Sequence, residues 1–199
     1  TDPNYKGQDI IHPIPGKVEG YRTPEELNHV KKLYAGKVTL CDHWIGVFLD
    51  RVRAMGLYEN SLIVFVTDHG APFGEHGYIK KAEPGLYQNL VHIPLIIRHP
   101  EGFGAGKRFS TLVETTEIFP TVLDFMKVQQ PPKIHGTSLL PLMAGKVSAI
   151  REYAYMGHFK RNWAVTDGGW KFILNFDKGK PNELYDLQGD PEEKSNLLQ

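Results

Sequence analysis

The chain has 199 residues, of which 41% are hydrophobic, and its 23 basic and 23 acidic residues give a formal net charge of zero. This length can bury a sizeable core in one domain plus a small satellite, and the charge balance excludes an overall field that would attract nucleic acid or an anionic membrane. No apolar run approaches the roughly eighteen residues of a membrane span, and we expect the start at Thr1, which has neither an initiator Met nor a signal peptide, to be a cut within a longer polypeptide.

The first predicted element is a long amphipathic helix. The segment Thr23-Pro24-Glu25-Glu26 combines a capping Thr, a Pro at the first helical position and a Glu three residues after the cap, which together mark a helix start. Apolar residues then recur every three or four positions as far as Met55, and Gly56 is the expected terminator. One apolar stripe, which includes the single cysteine Cys41, is predicted to face inward.

Two short apolar runs follow, at residues 62–66 and 93–97. Uninterrupted runs of this length are typical of parallel strands buried on both faces, so a doubly wound α/β sheet is predicted. A short helix is expected at residues 86–91, between the two strands, and a longer one at residues 116–126.

The last quarter of the chain has a different pattern. After the linker "QQPPKIHGTSLLPLMAG", three β-rich segments lie at residues 153–156, 163–166 and 170–175, and the Asp167-Gly168 turn joins the last two as a hairpin. We therefore divide the chain into residues 1–150, part of an α/β domain, and residues 151–199, a small α+β subdomain containing an antiparallel sheet.

Asp68 and His69 directly follow the first apolar strand, and in open parallel sheets ligands bind outside the carboxyl ends of strands. A carboxylate and a neutral imidazole can share a divalent cation with further carboxylates. The alternative, that Asp68 caps a loop while His69 packs, has equal weight when this strand end is considered alone.

A Gly-flanked loop, "GEHGYIKK", follows within fourteen residues. His76 in this loop could move a proton near neutral pH, and Lys80 and Lys81 could bind an anionic substrate as point charges. Taken singly, each of these residues is more commonly a structural or solvated surface residue. Their combination with Asp68 and His69 favours a site for a metal and an anionic ester.

The segment "ENSLIVFVTDHGAPFGEHGYIKKAEPGLYQNLVHIPLIIRHP" resembles the metal-and-sulfate segment of the sulfatase family, within the alkaline phosphatase superfamily. The resemblance extends to "LYAGKVTLCDHWIGVFLDRVRAMGL", "TEIFPTVLDFM", "HGTSLLPLMAG" and "ELYDLQGDPEEKSNL", in the family's order, and covers nearly the whole chain from about Glu25. It implies part of a doubly wound alkaline-phosphatase-like sheet flanked by helices. The Asp-His-Gly form resembles iduronate-type sulfatases and some phosphonate or phosphodiester hydrolases more than the Asp-Asn-Gly arylsulfatases.

The resemblance also implies roles for individual residues. Asp68 and His69 would be ligands of a divalent cation, which is calcium in most sulfatases. Lys81 stands at the position of the sulfate-binding lysine, and His76 lies in the adjoining active-site loop as a second catalytic candidate. Lys80 departs from the family because this position is commonly Gly, and it could shift the charge preference of the pocket.

A larger departure is that these 199 residues contain no Cys- or Ser-x-Pro-x-Arg motif, whose first residue becomes the nucleophilic formylglycine in sulfatases. Asp68 and His69 also supply too few ligands for a tight calcium site, since calcium takes six to eight. We therefore expect the C-terminal part of a sulfatase, inactive alone, with the formylglycine in a missing N-terminal part of the same protein.

The expected substrate is a sulfated small molecule or sulfated carbohydrate. His158 and Arg161, together with Lys160, could bind a polyanionic sugar, although a charged hairpin edge also blocks unwanted strand pairing. Two other functions stay open at this point: a phosphonate or phosphodiester hydrolase of the same superfamily, and a non-catalytic binding module.

Overall fold

The computed structural model describes residues 3–7, 16–20, 23–80 and 85–199. The helices are α1 (Pro24–Ala54), α2 (Gln88–Val91), α3 (Ile118–Phe125) and α4 (Leu140–Met143). The strands are β1 (Gly16–Lys17), β2 (Ile63–Val66), β3 (Tyr78–Ile79), β4 (Leu95–Arg98), β5 (Ala154–His158), β6 (Asn162–Thr166), β7 (Trp170–Asn175) and β8 (Glu183–Asp186). None of the helices in the described ranges is both long and apolar enough to cross a membrane.

The contacts within the chain define two compact units. Unit 1 comprises Thr1–Glu59 and Thr67–Ile93, and unit 2 comprises Asn60–Val66 and Pro94–Gln199. The division predicted between residues 150 and 151 stays a prediction.

Helix α1 begins and ends where the sequence predicts. The Thr23 Oγ1 atom accepts a hydrogen bond from the Glu26 N–H at 3.2 Å, and the Glu26 carboxylate accepts one from the Thr23 N–H, which completes a capping box. The chain leaves the helix through Gly56, whose φ of +70° is a left-handed conformation that Gly adopts without a steric penalty. The helix is about 46 Å long at 1.5 Å per residue.

The prediction that the apolar stripe of α1 faces inward is wrong for this structure. Only His29 and Val30 are buried among the α1 side chains that the structure describes, and Cys41 is exposed. The large apolar side chains that stand open to solvent along and just after the helix are Tyr34, Val38, Leu40, Trp44, Val47, Phe48 and Met55. Apolar periodicity indicates that a helix has an apolar face. It does not establish that another segment of the same chain covers that face.

The two central apolar strands pair with each other, but in the opposite direction to the prediction. Strands β2 and β4 are antiparallel, with Ile63 opposite Arg98 and Val66 opposite Leu95. Leu95 and Ile97 pack against an apolar cluster around α4, whereas Ile96 on the other face is 63% exposed. One covered face and one open face is the arrangement that antiparallel sheets tolerate, and a short apolar run carries no information on strand direction.

The C-terminal segments form a four-stranded antiparallel sheet in the order β5-β6-β7-β8. The predicted hairpin at Asp167-Gly168 is confirmed, because β6 and β7 pair with Thr166 opposite Lys171. The Asp167 carboxylate accepts hydrogen bonds from the Gly169 and Trp170 N–H groups, and these bonds lower its pKa. Strand β8 was not predicted from the sequence.

A buried ion pair joins strand β7 of this sheet to the segment after β8. The Lys171 Nζ atom is 2.8 Å from the Glu193 Oε1 atom, and the two side chains are 0% and 1% exposed. Burial lowers the pKa of Lys171, and the Glu193 carboxylate opposes part of that effect. The segment that carries Glu193 is held along β8 by the hydrogen bond from the Leu197 N–H to the Leu184 carbonyl at 2.9 Å.

Candidate functional site

The candidate metal ligands leave strand β2 together. The strand ends at Val66, and Asp68 and His69 follow in the loop after it, which belongs to unit 1. The Asp68 side chain is 84% exposed and the His69 side chain 31% exposed, so neither group is sealed in apolar packing.

A hydrogen bond to the Gly70 carbonyl orients the His69 ring. Its Nδ1 atom lies 2.6 Å from the Gly70 carbonyl oxygen, and because a carbonyl only accepts, Nδ1 must carry the proton. In the neutral ring the lone pair is then on Nε2, the nitrogen available to a metal.

The Asp68 carboxylate faces the same nitrogen. Its Oδ2 atom lies 3.3 Å from His69 Nε2, and its Oδ1 atom accepts a hydrogen bond from the His69 N–H at 3.0 Å. Two donors at this separation can both reach one cation, whose distances to oxygen and nitrogen ligands are about 2.0–2.6 Å. The pair therefore has the donor chemistry and the spacing of two neighbouring ligands of a divalent cation.

Two ligands do not make a complete metal site. Within the ranges that the structure describes, no group of three or more His, Cys, Asp or Glu side chains is arranged to hold a metal ion. A calcium ion at Asp68 and His69 would need further oxygen ligands.

The loop that carries Asp68 and His69 is held tightly against α2. The Gly70 N–H donates to the Leu90 carbonyl at 2.7 Å, and a Cβ atom added at Gly70 would lie 2.2 Å from the Asn89 carbonyl oxygen. Only Gly allows this close approach between two backbone segments.

We expect a Gly70→Ala chain to bind Ca²⁺ at least about tenfold more weakly, since outer-shell changes that reorient ligands cost 10–100-fold in metal affinity. The new methyl group must displace the loop, because the atom that it meets is backbone. A Ca²⁺ titration followed by the His69 ring resonances measures the affinity. Gly36→Ala is the matched control, because a Cβ atom at Gly36 meets nothing within 4 Å. Unchanged affinity in a folded Gly70→Ala chain would show that the loop position does not matter.

His76 lies at the tip of a hairpin formed by residues 72–80. The hairpin is closed by hydrogen bonds from the Gly74 N–H to the Tyr78 carbonyl and from the Lys80 N–H to the Pro72 carbonyl, both at 2.8 Å. His76 has a φ of +53°, a left-handed conformation that is uncommon outside Gly. Its ring stacks on Tyr87, with 3.5 Å between the ring centroids and an interplanar angle of 5°. Both rings line a pocket that also includes Asn89.

The other candidate residues are distributed as follows. Lys80 is half-buried at the end of the hairpin, whereas Lys81 lies outside the described residues. His158 ends strand β5 and accepts a hydrogen bond at its carbonyl from the Arg161 N–H at 3.0 Å, so both belong to the β5–β6 turn of unit 2.

The structure thus brings Asp68 and His69 together, and places His76 and Lys80 on one hairpin of the same unit.

Sequence reasoning missed Tyr87 and the contact between Gly70 and Leu90. The segment at residues 86–91 indicated a short helix, and nothing in its pattern shows that Tyr87 faces the His76 ring. The only sequence signal for the close approach between Gly70 and α2 was that a Gly directly follows Asp68 and His69.

The sequence matches two protein-family models: "Sulfatase" over residues 10–128 and "N-sulphoglucosamine sulphohydrolase, C-terminal" over residues 74–199. It is 30% identical to an arylsulfatase of Clostridium perfringens, in an alignment that covers 98% of this chain and 44% of that protein. The chain thus spans less than half the length of this curated relative.

Solved structures share the fold. A protein in complex with its substrate D-glucosamine-2-N,6-O-disulfate is similar with a TM-score of 0.79 and 27% identity, over 90% of this chain and 39% of that one. The phosphonate monoester hydrolase of Agrobacterium radiobacter is similar with a TM-score of 0.77 and 25% identity, over 88% and 38% of the two chains. These neighbours confirm the predicted fold class.

Proposed function

Because the chain belongs to the sulfatase family of the alkaline phosphatase superfamily, we propose that it is part of a sulfuric ester hydrolase and carries part of its metal and sulfate site. The observation that supports this proposal most directly is the pairing of Asp68 Oδ2 with His69 Nε2 at 3.3 Å in an accessible loop. The substrate is proposed to be a sulfated small molecule or carbohydrate. The family matched over residues 74–199 is named for the hydrolysis of N-sulphoglucosamine, and one structural neighbour is bound to a disulfated sugar substrate.

Each candidate residue then has a role. Asp68 and His69 hold a divalent cation, Ca²⁺, which when bound supplies positive charge that stabilises the sulfuryl oxygens of the ester. The Lys81 ammonium group binds those oxygens and adds to the same stabilisation. His76 is the candidate acid that protonates the departing alcohol, and the stacking on Tyr87 limits the positions that its ring can occupy. His158 and Arg161 contribute to sugar binding.

The nucleophile and the remaining metal ligands are proposed to come from another part of the same protein. The apolar stripe of α1 supports this proposal. Its exposed residues include Trp44 and Phe48, which are 60% and 61% exposed, and an apolar helix face open to solvent is a candidate surface for binding another segment. A formylglycine in that segment would attack the sulfur atom.

We expect the isolated 199-residue chain to bind Ca²⁺ only weakly, because Asp68 and His69 supply two of the six to eight ligands that calcium takes. We expect it to hydrolyse nothing, because its sequence contains no Cys- or Ser-x-Pro-x-Arg motif. The measurement is the release of 4-nitrophenol from 4-nitrophenyl sulfate, with and without Ca²⁺. Saturable turnover by this chain would show that its own residues supply the nucleophile and would overturn the assignment of roles.

A phosphonate monoester hydrolase is the second candidate, favoured by the likeness to the Agrobacterium radiobacter enzyme. A tetrahedral sulfuryl or phosphonyl group fits a cation and a Lys equally well in charge. The whole protein that contains this chain should hydrolyse 4-nitrophenyl sulfate faster than 4-nitrophenyl phenylphosphonate. The reverse order would replace the sulfatase assignment by the phosphonate one.

A further inference from the structure

One short helix, α2, contacts both the metal loop and the hairpin of the candidate site. The Leu90 carbonyl accepts the hydrogen bond from the Gly70 N–H at 2.7 Å, next to the candidate metal ligands. The Leu90 N–H in turn donates to the Tyr87 carbonyl at 2.9 Å, and Tyr87 is the N-cap residue of the helix. Because the Tyr87 ring stacks on His76, the same helical turn holds the metal loop at one residue and the His76 ring at another.

The His76 and Tyr87 rings lie face to face at short range. Their centroids are 3.5 Å apart and their planes differ by 5°. Two neutral aromatic rings prefer an offset or edge-to-face arrangement, with centroids about 4.5–7 Å apart, over a face-to-face sandwich. A cation, in contrast, is attracted to the face of a Tyr ring. The geometry therefore suits the protonated imidazolium form of His76, which is the form that can act as an acid.

The backbone of His76 is held in an unfavourable conformation. Its φ is +53°, and a left-handed conformation costs a non-Gly residue about 1 kcal/mol or more. The turn that imposes it is closed by the hydrogen bond from the Gly77 N–H to the Gly74 carbonyl at 3.1 Å. Strained residues cluster at active sites, where the surrounding structure holds a side chain in one place. The hairpin thus fixes the backbone of His76, and Tyr87 restrains its ring.

We propose that Tyr87 is a positioning residue, whose ring holds the His76 imidazolium in the orientation from which it protonates the departing alcohol. In that step the S–O bond to the alcohol breaks while a new S–O bond to the nucleophile forms. The electron pair of the broken bond stays on the alcohol oxygen, which takes the proton from His76 and leaves a neutral imidazole. This assignment rests on the proposed function and adds the residue that orients its acid.

The test compares two aryl sulfates whose leaving groups differ in their need for a proton. 4-Nitrophenol leaves readily as its anion, whereas phenol is a weaker acid and leaves more readily when it is protonated. In the whole protein that contains this chain, Tyr87→Leu should lower kcat for phenyl sulfate about tenfold or more, since general acid catalysis typically contributes about 10²–10⁴-fold. The kcat for 4-nitrophenyl sulfate should change by no more than about twofold.

Three further variants separate positioning from a general structural effect. Tyr87→Phe keeps the ring and should retain both rates within about twofold. Tyr58→Leu is the matched control, because Tyr58 is a half-buried Tyr of the same unit that contacts Arg53, and it should leave the ratio of the two rates unchanged. His76→Gln should slow phenyl sulfate selectively, and adding Tyr87→Leu to it should cost little more, since two residues that act together are not additive.

The wild-type 199-residue chain gives a measurement that remains decisive even if Tyr87→Leu does not fold. The His76 and Tyr87 ring protons should show nuclear Overhauser contacts with each other. Absence of these contacts, equal slowing of both sulfates by Tyr87→Leu, or full additivity with His76→Gln would overturn the role of Tyr87 alone. A wild-type whole protein that hydrolyses neither sulfate would overturn the proposed function itself.

Discussion

Lys171→Met is expected to lower the free energy of unfolding by about 3–5 kcal/mol, the usual cost of removing one partner of a buried ion pair. Lys171 and Glu193 are 0% and 1% exposed and 2.8 Å apart, so the substitution leaves the Glu193 carboxylate without its cation in a dry environment. Glu183 adds to the effect, because its carboxylate also interacts electrostatically with Lys171. Urea unfolding followed by circular dichroism measures the change.

Two further variants show whether the cost comes from the uncompensated charge. Lys171→Met combined with Glu193→Leu should recover most of the loss, because replacing both partners by apolar residues is commonly neutral or stabilising. Lys178→Met, an exposed lysine after the same strand, should change stability by no more than about 0.5 kcal/mol. A Lys171→Met chain that unfolds within about 1 kcal/mol of the wild type would mean that this pair contributes little.

Asp68→Asn is expected to abolish the weak, site-specific Ca²⁺ binding that the wild-type chain shows at millimolar Ca²⁺. The substitution keeps the shape of the side chain but removes the negative charge that a hard cation requires, and even outer-shell changes cost about 10–100-fold. Isothermal titration calorimetry of both chains measures the difference.

Asp42→Asn is the control for charge alone. Asp42 is exposed on α1 in the same unit, so its loss changes the net charge of the chain equally without removing a candidate ligand. Its Ca²⁺ titration should match that of the wild type. Equal weakening by both substitutions would point to diffuse electrostatic binding, with no site at Asp68.

Local features of the fold could be predicted because neighbouring residues determine them. The capping box at Thr23 and Glu26, the Gly56 terminator and the Asp167-Gly168 hairpin each depend on a few adjacent side chains. Their physics is contained in a short window of sequence, and the structure agrees at each position.

Burial and strand direction depend on distant segments, and here the predictions failed. Cys41 lies on a regular apolar stripe and is nevertheless exposed, and Ile96 lies in an uninterrupted apolar run but is 63% exposed. Strand β8 was missed because only its pairing with β7 defines it. A pattern in one segment does not reveal what packs against that segment.

In the candidate site, too, local features could be predicted from the sequence and contacts between distant segments could not. Asp68 and His69 were identified from their position after an apolar strand and from the resemblance, and adjacency in the sequence brings them together. The stacking of His76 on Tyr87 could not be predicted, because it joins two segments whose spacing carries no signal. The left-handed backbone conformation of Lys80, whose φ is +58°, could likewise not be predicted. The resemblance indicated only that Lys80 occupies a position where Gly is common.

The most direct test of the metal site is paramagnetic broadening by Mn²⁺ in the amide NMR spectrum of the 199-residue chain. Mn²⁺ prefers the same oxygen and imidazole donors as the proposed cation and broadens resonances close to the ion. We predict that substoichiometric Mn²⁺ broadens Asp68, His69 and Gly70 first, and that excess Ca²⁺ reverses the effect. Broadening that centres elsewhere, or that persists in Asp68→Asn, would contradict the assignment of Asp68 and His69 as metal ligands.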